Sequence, residues 1–356
     1  MRNFAGAIYN VIMHTLLSTL ISIPAISRDE SQKADALESF LREKGLAPQR
    51  EANNIWCVGK LFLENRPTVL LNAHLDTVKP VSGWQRLPHV PTLEGDRLYG
   101  LGTNDCGGGL VALLFAFMHL CEIDEGQLPY NLIYLASAEE EVSGRNGVER
   151  ALPLLPTIDV AIVGEPTGMH PAIAEKGLMV LDCTAHGVSG HAARDEGVNA
   201  IYKAIADIEW IRNHKFSRVS PFLGEVKLSV TQVSAGTQHN VVPDSCSFVV
   251  DVRTNECYSN QEVLDEITSH LSSEVKARST RLNSSSIPKS HPLVQKCMAL
   301  GRVPYGSPTL SDQALMSFPS FKLGPGESSR SHTADEYICL SELEHALQFY
   351  IDLLSM

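Results

Sequence analysis

The 356-residue chain has no Cys-x-x-Cys pair, no cluster of basic residues, no internal repeat and no low-complexity tract. Its cysteines, Cys57, Cys106, Cys121, Cys183, Cys246, Cys257, Cys297 and Cys339, are scattered singly, which reads as reduced thiols in a cytoplasmic protein. The lack of basic clusters, with 29 Lys and Arg against 41 Asp and Glu and a net charge of −12, argues against nucleic acid or an anionic membrane as a partner. An uninterrupted apolar run is missing at the N-terminus. Val11–Ile26 is broken by His14, Ser18, Thr19 and Pro24, so it reads as an amphipathic helix ending near Pro24, not as a signal peptide or a membrane span. The glycine-rich stretch Gly100–Gly109 also lacks what a phosphate cradle needs. With Gly100 and Gly102 opening a G-x-G-x-x-G pattern, the third glycine falls on Asp105, whose charge repels phosphate, and no G-K-[ST] is present.

What is present is an ordinary globular composition, 44% hydrophobic and 20% charged, in a chain long enough for two domains. Helices are expected over Arg28–Glu43, with Ser31 as cap, and over Gly107–Leu120. Strands are expected at Asn54–Leu63, Val69–Ala73, Asn131–Ala136 and Val160–Val163. Strands alternating with helices predict an α/β layer with a mostly parallel sheet. From Leu178 the pattern changes to strand, helix, strand, strand, helix, strand (Leu178–Ala185, Asn199–Arg212, Lys227–Ala235, Ser245–Arg253, Gln261–Leu271, Glu274–Leu282). That order is the ferredoxin-like βαββαβ unit. The reading is a discontinuous catalytic domain, residues 1–177 and 287–356, with a smaller domain, 178–286, inserted into it. The serine-rich segment Asn283–Ile287 serves as the return linker, and helices at His291–Leu300 and Ser341–Leu354 complete the first domain.

In parallel sheets ligands sit beyond the carboxyl ends of the strands. His74 follows LLNA, Glu140 and Glu141 follow LIYLASA, and Glu165 follows AIVG. Carboxylates with imidazoles are the ligands of hydrolytic zinc sites. A two-metal site needs a bridging carboxylate, one further carboxylate and one histidine per metal, and a free base. His74 and His332 supply the nitrogens, Asp105 the bridge, and Glu141 and Glu165 the terminal carboxylates, which leaves Glu140 unused. Asp76 is placed to hydrogen-bond the far nitrogen of His74 and set its tautomer. Gly324 and Gly326, in the GPG turn before His332, would let backbone approach a substrate.

The segments NAHLDTV, GLGTNDCGGG, SAEEEVSG, VGEPTG, HGVSGHAA, HNVVP with DVR, and GPGESSRSHTADEYI resemble, in order and over nearly the whole chain, the di-zinc amidohydrolases. That family comprises acetylornithine deacetylase, succinyl-diaminopimelate desuccinylase, aminoacylase and glutamate carboxypeptidase, and the first is the member most resembled. The resemblance implies two Zn2+ per chain, with Co2+ as a substitute, and an inserted lid domain that forms a homodimer. It implies that Glu140, rather than Glu139 or Glu141, is the general base that takes a proton from the attacking water and returns it to the leaving amine. It implies that His191, in GHAA, stabilises the oxyanion; His186 is a competing candidate, more simply a polar strand residue. It implies that Arg253, with Asn240 beside it, holds the carboxylate of a small-molecule N-acyl amino acid. The activity expected is deacetylation of N-acetylornithine or N-acetylcitrulline in arginine biosynthesis. The alternatives are an N-succinyl-amino-acid desuccinylase or a dipeptidase. Two departures stand out: Gly107 where the family often has lysine, and Asp195 where the lid motif often reaches a proline.

Overall fold

A computed structural model describes residues 2–124, 126, 128–194 and 196–355. Asp195 therefore lies outside the described residues. The chain forms two compact units. The first comprises residues 1–173, 287–305 and 311–356, and the second residues 174–286 and 306–310.

The first unit is mixed α/β around a large, mostly parallel sheet. Its middle strands run in the order Asn131–Ser137, Thr68–His74, Val160–Val163, Ser320–Lys322, each parallel to the next. Antiparallel strands flank them, Asn54–Val58 and Gln49–Glu51 on one side and Ala172 on the other. The middle strands are apolar on both faces because helices and turns cover both. Helices Arg2–Ile21 and Gly108–Ile123 and the C-terminal Leu340–Leu354 pack into one continuous core with one face of the sheet. Among the described residues one helical stretch, Thr103–Ile123, is long and apolar enough to cross a membrane, and most of it is buried inside this core.

Two strands are shorter than their sequence patterns suggest. Asn54–Val58 stops before Gly59, and Glu274–Ala277 stops well short of Leu282. Ser320–Lys322 is a central strand that periodicity does not reveal. It has three residues, follows Pro319, and ends in a buried lysine where an apolar residue is the rule.

The second unit is a four-stranded antiparallel sheet in the order Lys227–Ala235, Ser245–Arg253, Met179–His186, Glu274–Ala277. Helices Ala200–Asn213 and Asn260–His270 give the βαββαβ sequence of elements. Asn199 caps the first helix, and Ser259 with Glu262 forms a capping box on the second. The segment expected as a plain linker holds a short strand, Ser285–Ser286, paired to Ala174–Glu175.

Candidate metal centre

Because the middle strands are parallel, their carboxyl ends share one edge of the sheet. His74 is the last residue of its strand, Glu140 and Glu141 follow the Asn131–Ser137 strand, and Glu165 follows Val160–Val163. Three backbone features bring the remaining donors to that edge. The turn Thr103–Gly107 carries Asp105 directly ahead of the core helix. Glu139 sits at φ 52° and opens a single helical turn that presents Glu140 and Glu141 side by side. His332 itself takes φ 59° in the loop before Tyr337–Cys339.

These residues converge. Nε2 of His74 lies 3.2 Å from Oδ1 of Asp105, 3.6 Å from Glu165 and 3.9 Å from Glu140. The other oxygen of Asp105 lies 3.6 Å from Nε2 of His332, which meets Glu141 at 3.0 Å. Asp105 thus faces a different histidine with each oxygen, the disposition a bridging carboxylate requires. Donor atoms of Asp105, Glu141 and His332 lie within 4.8 Å of one another, as do those of His74, Glu140 and Glu141. A third group with the same spacing joins His74 and Glu165 to the Sγ of Cys106, which donates to the Gly164 carbonyl at 3.1 Å.

The charge balance of this cluster fits cations. Glu140 is pushed well above the ordinary glutamate range, first by burial and then by the neighbouring Glu165, Asp312 and Glu141. Burial and Asp105 push Glu165 up to about 8, although Lys322 and His74 pull the other way. The bond to Glu141 raises His332 to about 9. Burial opposes the charged form of His74, but Asp105 and Asp76 overcome it and hold its pKa well above the usual imidazole value. Four carboxylates aimed at two imidazoles carry more negative charge than those rings neutralise. Divalent cations, for which oxygen and imidazole donors are the standard set, would take the place of the extra protons.

Asp76 has a further job besides the one its spacing suggests. The nearest acceptor for Nδ1 of His74 is the Asp76 backbone carbonyl at 3.0 Å, with the carboxylate at 3.5 Å. That bond holds a proton on Nδ1 and leaves Nε2 as the nitrogen from which a cation could displace a proton. The Asp76 carboxylate also accepts the backbone N–H groups of Glu140 at 3.0 Å and Glu141 at 3.2 Å, and the Ser27 hydroxyl at 2.7 Å. It therefore orients the glutamate turn directly.

The GPG glycines also serve packing. A side chain on Gly324 would strike the backbone of Gly164 and Glu165, and one on Gly326 (φ 81°) would strike Asn104. They allow close packing of the Glu165 and Asp105 loops. Gly107 has a similar cause: a Cβ there would meet the Gly102 carbonyl and Leu17.

Sequence reasoning missed three buried charges beside the cluster. Glu336 accepts the backbone N–H groups of Gly102, Asn104 and Asp105 at 3.2, 2.8 and 2.9 Å and so cradles the Asp105 turn. Its position four residues after His332 was the available signal. Lys33 donates to the Leu75 carbonyl at 3.1 Å; burial lowers it to about 8 against the pull of Asp76, Glu336 and Glu30. Asp312 is buried and falls outside every motif.

In the second unit, His191 is exposed on a short strand, Gly190–His191, paired with Val241–Val242. Its Nδ1 accepts the Ala193 N–H at 3.1 Å, and the Asn240 carbonyl accepts the Ala192 N–H at 3.0 Å. His191 and Asn240 are thus on adjoining backbone. Arg253 forks onto Asp251 of its own strand at 2.8 and 3.1 Å, and His186 pairs with Glu274 at 3.3 Å.

A pH dependence follows from the buried acids. Burial, then Asp105, raises Glu336 from 4.5 to about 7, and burial raises Asp312 from 3.8 to about 6. Between these limits the folded chain holds protons that the unfolded chain has released, so stability falls as pH rises. Asp76 and Asp105, both held below the usual range despite burial, titrate beneath that window. Protein kept metal-free with chelator should melt at progressively lower temperature from pH about 4.5 to about 7. A melting temperature that climbs over that interval would contradict the assignment.

A model of peptidase family M20/M25/M40 matches residues 70–356. A Mycobacterium tuberculosis protein with the provisional name succinyl-diaminopimelate desuccinylase is 30% identical over 348 residues, covering 93% of this chain and 95% of that protein. Acetylornithine deacetylase of Proteus mirabilis is 29% identical over 363 residues, covering 92% of each. The structure of the Bacillus subtilis YXEP protein, described as a dinuclear metal binding peptidase, superimposes with a TM-score of 0.72 at 16% identity over 98% of both chains.

Proposed function

The chain belongs to peptidase family M20/M25/M40, and from that premise we propose that it cleaves the amide bond of an N-acyl-L-amino acid, N-acetylornithine or N-acetylcitrulline, in the cytoplasm as a step of arginine biosynthesis. The observation that carries the chemistry is Asp105, one oxygen toward His74 and the other toward His332, with Glu140 beside them. His74, Asp105 and Glu165 would hold one cation, and Asp105, Glu141 and His332 the other. Zinc suits these donors and cobalt would substitute. Cations held by these residues would supply Lewis acidity toward the substrate carbonyl and lower the pKa of the attacking water.

The protein's own part is proton transfer and positioning. Glu140, set among other carboxylates and pushed above the ordinary glutamate range by burial, holds a proton more tightly than an exposed glutamate, as a general base must. It takes the proton of the attacking water and delivers it to the departing amine. Asp76 keeps Glu140 facing the substrate by holding two consecutive backbone N–H groups. With Nδ1 of His191 occupied as an acceptor, its neutral ring carries the proton on Nε2, free to donate to the oxyanion. Arg253 is assigned to the substrate carboxylate, for which it would exchange Asp251.

The relatives' names divide between acetyl and succinyl substrates at nearly equal identity. The test is release of free amine from a panel of N-acetyl and N-succinyl amino acids and dipeptides. A clear preference for N-acetylornithine or N-acetylcitrulline supports the proposal. Turnover of N-succinyl substrates alone would replace it with a desuccinylase, and turnover of dipeptides alone with a dipeptidase.

The same reading includes a homodimer through the second unit. Tyr202 and Ile205 on the Ala200–Asn213 helix are 72% and 49% exposed, and Val233 on the sheet's outer strand is 59% exposed. A row of apolar side chains beside an open strand edge suits pairing with its own copy. Light scattering should give twice the chain mass, reduced to a single chain by Tyr202→Glu with Ile205→Glu; a monomeric parent protein rejects the dimer.

A further inference from the structure

Asp312 lies in a short turn, Asp312–Leu315, outside every segment that carries a metal donor, yet its carboxylate is buried behind the cluster. Ser137 donates its hydroxyl to Oδ2 of Asp312 at 2.5 Å. Ser137 ends the strand that leads into Glu140 and Glu141. Asn72, two residues before His74 on the neighbouring strand, reaches the same oxygen: with its amide oriented to satisfy both ends, Nδ2 donates to Oδ2 at 3.2 Å. One carboxylate oxygen therefore takes a proton donor from each of two adjacent parallel strands, which pair His74 with Ser137 in register. The bonds fall just before the residues that the chemistry uses.

A buried carboxylate is costly, and an apolar residue would stabilise this position more simply. Cross-strand backbone bonds fix the spacing of two strands but leave the last residues free to splay where the ladder ends. A charged acceptor shared by both strands removes that freedom, because charge-assisted bonds are shorter and stronger than neutral ones. Asp312 also lies close enough to Glu140 and His74 for its charge to act on both.

We propose that Asp312 is a positioning residue that ties the ends of the His74 and Ser137 strands together and so sets the distance between the metal-facing histidine and the Glu140 base. The inference rests on the hydrolase reading above for what the spacing serves. It makes no direct contact with substrate or metal and acts through Ser137 and Asn72.

The test compares Asp312→Ala and Asp312→Asn, each loaded with cobalt. Asparagine keeps an oxygen that accepts from Ser137, and alanine removes it. Asp312→Ala should lose about 10²-fold in kcat, the usual consequence of a misplacement near 1 Å, with KM and cobalt content unchanged and the visible cobalt spectrum shifted. Asp312→Asn should recover most of the kcat and the parental spectrum. Parental kcat and spectrum in folded Asp312→Ala would overturn the proposal, as would a variant that loses only thermal stability. If Asp312→Ala fails to fold, Ser137→Ala removes one hydroxyl and must show the same spectral shift, or the proposal falls. If even the parent protein releases no amine from any substrate, the hydrolase reading has failed, and the cobalt spectra still decide whether Asp312 shapes the cluster.

Discussion

Glu140→Gln should retain both bound cations and lose about 10²–10⁴-fold in kcat, the range that a positioned general base contributes. Glutamine preserves the size and one oxygen of the side chain, so packing changes little, but its amide cannot accept a proton at working pH. The residue choice matters because three glutamates stand in a row. Glu139 is turned inward, where it accepts from Asn146 at 3.0 Å and packs on Gly144. Glu141 meets His332 at 3.0 Å, whereas the nearest imidazole to Glu140 is His74 at 3.9 Å. Geometry also permits Glu140 as a ligand with His74 and Glu141, and the variant separates the roles. Metal analysis beside steady-state kinetics decides it: an inactive variant missing one cation makes Glu140 a ligand, and an active variant ends the base assignment.

Asp105→Ala should abolish turnover and release both cations, a larger effect than any other single ligand produces. The reason is the shared carboxylate. Removing His332 or Glu165 leaves the other cation its histidine, its terminal carboxylate and the bridge, so one cation should remain. Removing Asp105 takes a donor from both sides and leaves His74 with Glu165, and His332 with Glu141. Elemental analysis after gel filtration would show about two metal equivalents falling toward zero for Asp105→Ala and toward one for His332→Ala. Two equivalents retained by Asp105→Ala would show that the two oxygens do not serve two ions.

Much of this site was legible because its donors follow strands in a recognisable order. Periodicity located three of the four central parallel strands, and each of those three leads into a donor at its carboxyl end. The fourth, Ser320–Lys322, escaped because three residues carry no period and a buried lysine breaks the apolar pattern. Asp76 was found beside His74, although spacing cannot tell that its backbone carbonyl lies nearer Nδ1 than its carboxylate. Gly324 and Gly326 were noted as places where backbone could approach a substrate, while the neighbours that exclude a side chain there, the Gly164–Glu165 backbone and Asn104, lie far along the chain and leave no local signal.

The sequence by itself determined the donor types, their order and the parallel-sheet setting that gathers them on one edge, since local pattern and strand direction are properties of short segments. Only the tertiary structure decided which oxygen faces which histidine, that Asp76 holds the glutamate turn, and that Glu336, Lys33 and Asp312 support the cluster from behind. Those contacts join residues separated by as many as 234 positions. Their strength depends on burial and angle, which no short stretch of sequence encodes.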